Sequence, residues 1–120
     1  MILMYSQQTA AEIATWPKLE TKEDAEAYIH QRVSEDAVDY IKLMHESGAG
    51  LMVKPILPDI KLQEAVIEAA HAAGLVVVAH ALAHDDTVAI LKAGVDGLTH
   101  TFMDKPPTEE LIAAYKLNNA

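Results

Sequence analysis

Apolar and polar positions along this chain switch between helical and strand-like spacing. Thr21-Lys-Glu-Asp24 is a helix-start signal, with a carboxylate three residues after a hydroxyl in the place usually taken by Glu or Gln. Ala25, Tyr28, Ile29 and Val33 then mark one face at helical spacing, which predicts a helix ending near Glu35. Residues 38–44 form a short apolar run with β-branched and aromatic members, and predict a strand. Leu62, Ala65, Val66, Ala69, Ala70 and Ala73 form a second helical stripe, closed by Gly74. Residues 75–79 are almost continuously apolar, as in strands covered on both faces. Asp85 or Asp86 is expected to cap a helix that runs to Ala93 and stops at Gly94. Residues 95–102 predict the next strand. Pro106-Pro107-Thr108 introduces a last helix, from Glu109 to about Leu117.

Two stretches lack a period. Residues 1–20 read as an irregular N-terminal segment, with a loop at Trp16-Pro17. Residues 45–59 hold Gly48, Gly50, Pro55 and Pro58 and read as a loop, with room for a short strand at 51–53. That loop is long for a compact domain, and long ordered loops are often functional.

Helix and strand therefore alternate, starting and ending with a helix. This order predicts an α/β chain of βαβ units with parallel strands and right-handed crossovers. At 120 residues there is room for one domain at most. Three such strands close nothing. They describe an arc of a barrel or a small open sheet with two bare edges.

Composition narrows the partners. A hydrophobic content of 51% suits a globular chain. A net charge of -9 argues against nucleic acid or an anionic membrane as the main partner. No cysteine is present, so disulfides, thiolate metal sites and cysteine nucleophiles are excluded. Residues 1–5 are too short and lack the basic lead of a signal peptide, and no run approaches the roughly 20 apolar residues of a membrane span. The expectation is a soluble, cytoplasmic chain.

The candidate chemistry lies in a repeated pattern. Gly74 and Gly94 are each followed six residues later by a histidine, His80 and His100, across an apolar stretch. Asp36 to Lys42 has the same spacing and ends in lysine. Each polar residue would finish a strand, and the carboxyl ends of parallel strands are where α/β proteins place ligands and metals. Neutral imidazole is the commonest metal ligand. Lysine as ammonium has only donors, but a desolvated neutral amine can take up carbon dioxide and become a carbamate able to bridge two metal ions. Lys54, before a proline in the long loop, is the rival lysine. Lys42 is favoured because its strand is in register with the two histidine strands.

Val38-Asp-Tyr-Ile-Lys42-Leu-Met-His-Glu46, Glu68-Ala-Ala-His71-Ala-Ala-Gly74, Val77-Val-Ala-His80-Ala and Ala93-Gly-Val-Asp-Gly-Leu-Thr-His100 follow one another in an order and spacing that resemble the amidohydrolase superfamily. The nearest branch holds the imidazolonepropionase-like enzymes and the metal-dependent Xaa-Pro dipeptidases. The resemblance covers roughly residues 20–118. It implies a partial (β/α)8 TIM barrel, about strands 4 to 6 with flanking helices. By it, Lys42 is the carboxylated lysine of strand 4, and His80 and His100 are the ligands ending strands 5 and 6. The cofactor is one or two divalent ions, zinc foremost. The activity is hydrolysis of a carbon–nitrogen bond in a small molecule: an N-acyl amino acid, a dipeptide or a cyclic amide.

The family also carries a His-x-His pair ending strand 1 and an aspartate ending strand 8, which is both ligand and general acid/base. No His-x-His occurs in this sequence, and the chain is expected to stop where strand 7 would begin. The resemblance thus implies the middle of an amidohydrolase, inactive by itself and holding no catalytic acid or base. Asp36 stands where relatives often have a helix-ending glycine. A non-catalytic α/β module that assembles as a homo-oligomer through its sheet edges, or a half-barrel completed by another chain, suits the same element order.

The other histidines have plainer readings. His45, just past the first strand, and His84, just past the second, are candidates to line a substrate site, but suit an ordinary loop or helix start better. His71 sits on a helix among alanines, and His30 belongs to the first helix. Asp85-Asp86 and Glu109-Glu110 suit helix N-termini.

Overall fold

A computed structural model describes residues 19–48, 59–118 and 120. Their order is α1 (Lys22–Asp36), β1 (Tyr40–Met44), α2 (Ile60–Ala72), β2 (Val76–His80), α3 (His84–Lys92), β3 (Gly97–Leu98) and α4 (Glu109–Asn118). This is the predicted alternation. The short strand expected at 51–53 and nearly all of the irregular N-terminal segment lie outside the described residues.

Helix α1 begins as the sequence predicts. The Asp24 N–H donates to Thr21 Oγ1 (3.1 Å), and the Thr21 N–H donates back to Asp24 Oδ2 (3.0 Å). Ala25 and Ile29 are buried, whereas Val33, expected on the same face, is exposed. The helix ends one residue later than Asp36 would suggest. Ala37 takes the left-handed conformation, with φ 49° and ψ 47°. Alanine there carries about 1–2 kcal/mol of strain. Glycine would relieve it at a backbone-entropy cost of about 0.5–1 kcal/mol. Ala37→Gly is therefore expected to raise stability by about 0.5–1 kcal/mol in urea melts, and an equal loss would show that the turn does not need the left-handed state.

Helices α2 and α3 stop where the glycines fall. Gly74 has φ 76° and Gly94 has φ 104°, both in the region that favours glycine. The start of α3 differs from expectation. Neither Asp85 nor Asp86 caps it. The cap position is Ala83, without a side-chain hydrogen bond, and both aspartates lie in the first turn. There they still oppose the positive end of the helix dipole.

The three strands form one parallel sheet in the order β1-β2-β3. Tyr40 pairs with Val76, Lys42 with Val78 and Met44 with His80. Val78 pairs with Gly97 and Ala79 with Leu98. Side chains alternate between the two sheet faces. Ile41, Val77 and Ala79 are buried, in one core with Ile29, Val66, Ile67, Ile90, Leu91 and Leu111. On the opposite face Tyr40 and Val76 are 55% and 50% exposed. The helices thus cover one face. On the second face of β2, whose near-continuous apolar run predicts cover on both, Val76 is exposed, Val78 half-buried and His80 buried among the described residues.

Strand β3 is also shorter than the predicted 95–102. Asp96 replaces a regular ladder step: its N–H donates to the Val77 carbonyl (2.8 Å), while its carboxylate accepts from the Val77 N–H (2.7 Å). Past Leu98 the Thr99 N–H still donates to Ala79 O (2.9 Å), and then the chain bends away. No helix among the described residues is long and apolar enough to cross a membrane.

Candidate metal centre

The carboxyl end of the sheet gathers the candidate residues. His80 is the last residue of β2 and is only 3% exposed. The His45 N–H donates to its carbonyl (3.0 Å), extending the β1–β2 ladder one step beyond Met44. The next residue, Glu46, turns its carboxylate inward. Oε2 lies 3.2 Å from His80 Nε2, and Oε1 accepts from the Gly48 N–H (2.7 Å). The Glu46 side chain is itself only 11% exposed.

His100 lies two residues beyond β3, outside the regular strand that was expected to end on it. The bend after Leu98 nevertheless brings its ring edge-on to His80, with centroids 4.8 Å apart and planes at 82°. Burial, and then the charge of His100, hold the His80 imidazole below its ordinary pKa, against the pull of Glu46. The neutral form this favours is the one that ligates metals.

Lys42 is placed differently. It is in the middle of β1, level with Val78, and so shares the His80 face of the sheet but stands two residues lower. It is exposed, so the apolar burial expected around its amine is absent. The structure brings His80 and His100 together and leaves Lys42 on the uncovered face below them.

The two candidate substrate-lining histidines hold the scaffold. His45 is buried, with Nδ1 against the side-chain amide of Gln63 on α2. His84 is buried at the start of α3, where Nδ1 meets Asp85 Oδ1 (2.9 Å) and Nε2 meets Thr108 Oγ1 (3.0 Å). Its ring also packs edge-on against Phe102, with centroids 5.4 Å apart. Asp86 accepts from both the N–H (2.9 Å) and the hydroxyl (2.6 Å) of Ser47, which fastens the loop after β1 to α3.

Sequence reasoning missed Glu46, Gln63 and Asp86 as parts of this end of the sheet. The available signal for Glu46 was a carboxylate two residues past a strand, ahead of Ser47-Gly48.

Whether these residues suit a divalent metal is a question of donor type and spacing. The His80 and His100 rings meet in a T-shaped contact with centroids 4.8 Å apart, and that distance alone does not aim their nitrogens at one ion. Imidazole nitrogen is a donor that zinc and its neighbours accept. Among the described residues, no three His, Cys, Asp or Glu side chains form a group that could hold a metal by themselves. The histidine pair alone is not a metal site. No protein-family model matches the chain, nor does any curated protein.

Proposed function

We propose that this chain is the strand 4 to 6 arc of a (β/α)8 barrel in a metal-dependent amidohydrolase, and that His80 and His100 are two of its metal ligands. The observation that carries this reading is the meeting of two histidine rings at 4.8 Å, delivered by consecutive parallel strands to their carboxyl end. The strand order supports it. Neighbours follow chain order without reversal, and the buried apolar strand residues Ile41, Val77 and Ala79 lie on one face of the sheet. A barrel has the same plan, with helices outside and strand faces turned to a common interior. Lys42, on that inner face, would be the bridging lysine of strand 4.

A bound divalent ion would supply a Lewis acid that makes water nucleophilic near neutral pH. The chain's own part is to bind and orient. His80 offers a neutral imidazole from a buried position, and His100 closes on it from the exposed side. The substrate class is a small molecule with a carbon–nitrogen bond to be hydrolysed: an N-acyl amino acid, a dipeptide or a cyclic amide. Moving the proton requires the family's aspartate, for which the sequence offers no counterpart at the end of these strands.

The test is zinc content after loading and dialysis. The unaltered chain should retain zinc, and His80→Ala should lose it. Less than about 0.1 equivalent in the unaltered chain, or a content unchanged by His80→Ala, would overturn the reading.

A further inference from the structure

We propose that the outer edge of β1 is a docking site for an extended segment of another protein chain, one in which apolar residues alternate with acidic ones. Among the described residues β1 pairs only with β2, so its other side is an edge of the sheet. The His45 N–H turns toward β2, onto the His80 carbonyl. Successive peptide groups of a strand face opposite sides, so those of Tyr40, Lys42 and Met44 point to the open edge. Strand groups at an open edge are a template for an added strand.

The space beside this edge is hollow. A groove of 560 Å³ is lined by Tyr40, Ile41, Lys42 and Leu43, with Tyr28 of α1 and Val66 of α2 beside them. Successive strand side chains point to opposite faces, so a groove that touches all four runs along the side of the strand. A second groove, of 270 Å³, continues it past Leu43 and Met44 to Leu62. On the helix side the walls are apolar, through Ile41, Leu43, Leu62 and Val66. An added strand would fill them with an apolar side chain at every second position.

Charge selects the positions between. Arg32 also lines the groove, over the Tyr28 ring at 5.2 Å, and its Nη1 is engaged by Asp36 (2.6 Å). Lys42 is exposed at the middle of β1, and no carboxylate among the described residues pairs with it. An acidic side chain opposite Lys42 would gain a cross-strand ion pair. A second copy of this chain fits poorly. Two β1 strands paired antiparallel about their centres put Lys42 against Lys42, and like charges directly opposite destabilise. The other edge of the sheet, β3, is only two residues long. The docking needs no metal and stands apart from the function proposed above.

The experiment uses the full, metal-free chain and two short acetylated peptide amides, one alternating valine with glutamate and the other valine with lysine. Affinity is read by titration at low salt, and location by hydrogen exchange of backbone amides. The glutamate peptide should bind about 2- to 30-fold more tightly than the lysine peptide and should slow exchange at Lys42 and Met44. Lys42→Glu, at an exposed position, should reverse that preference. Failure of both peptides to bind, equal affinities, or a preference that survives Lys42→Glu overturns the proposal. So does slow exchange along the edge of the dilute chain without peptide, which would show that this chain covers β1 itself. Protection of the edge that grows with protein concentration would assign it to a second copy and overturn the proposal as well.

Discussion

Leu91→Ala is expected to lower the stability of the fold by about 2–5 kcal/mol, the range for deleting a fully buried leucine side chain. Leu91 is fully buried near the end of α3, in the same core as Val77, Ala79 and Leu111. That core has only one sheet face to draw on, because the opposite face carries the exposed Tyr40 and Val76. A small domain has about 5–15 kcal/mol in total, so this single change removes a large share. The surrounding backbone offers little collapse, since α3 is held at its start by Asp86 and Asp104 and at its end by the Asn118 side chain on the Leu91 carbonyl. Urea denaturation should show the midpoint falling by about 1 M or more with an unchanged slope. Leu117→Ala is the contrast: Leu117 is 76% exposed, and its loss should stay within about 0.5 kcal/mol. A Leu91→Ala cost below about 1 kcal/mol would show that α3 does not pack on the sheet in this way.

The long elements were legible because each rests on local information. The stripe on α2 and the capping box on α1 are fixed within a few residues of sequence. Gly74 and Gly94 announce the turns that end α2 and α3. What sequence period could not settle was which strand face would be covered. Val76, Val77, Val78 and Ala79 look alike as letters, and only the register and the helix positions separate the buried Val77 from the exposed Val76. Strand β3 fell short of its predicted length for a similarly non-local reason. The Asp96 carboxylate takes a strand N–H that a regular ladder would give to a carbonyl, and nothing near Asp96 in sequence announces Val77 as its partner. The same holds for Asp86, which reads as a helix cap but is drawn to Ser47, 39 residues away.

At the candidate centre, the repeated glycine-to-histidine spacing pointed to two residues that do meet. The spacing worked because two βα units of equal length carry their last residues to one end of a parallel sheet. It worked less well for Lys42. Equal spacing to the preceding helix end does not guarantee equal height: β1 begins at Tyr40, four residues after Asp36, and β2 at Val76, two residues after Gly74, so Lys42 is mid-strand where His80 is last. Glu46 had no periodic signal. Its place follows from the turn after β1, which depends on Gly48 and on the His45–His80 backbone contact.

Asp96→Ala is the second substitution with a large expected effect, about 1–3 kcal/mol, and its effect depends on pH. The carboxylate supplies the partner of the Val77 N–H, and Val77 is fully buried. Removing it strands a buried donor, which costs about 1–3 kcal/mol. The contact with His71 Nε2 (2.9 Å) is half exposed and adds little. Burial pushes the Asp96 carboxyl up, but the Val77 N–H and His71 together outweigh it and hold it below its ordinary value. A carboxylate depressed in the folded state stabilises the fold fully above its unfolded pKa of about 3.9, and that contribution fades as pH falls through the lower folded value. The gap in stability between the unaltered chain and Asp96→Asn should therefore narrow as pH falls below about 4. Asp96→Ala should show the larger loss, because the amide oxygen of asparagine can still accept from Val77. Urea melts across this range check both points. A gap that widens as pH falls below about 4 would mean that the carboxylate is held above its ordinary value, and that the Val77 N–H is not its partner.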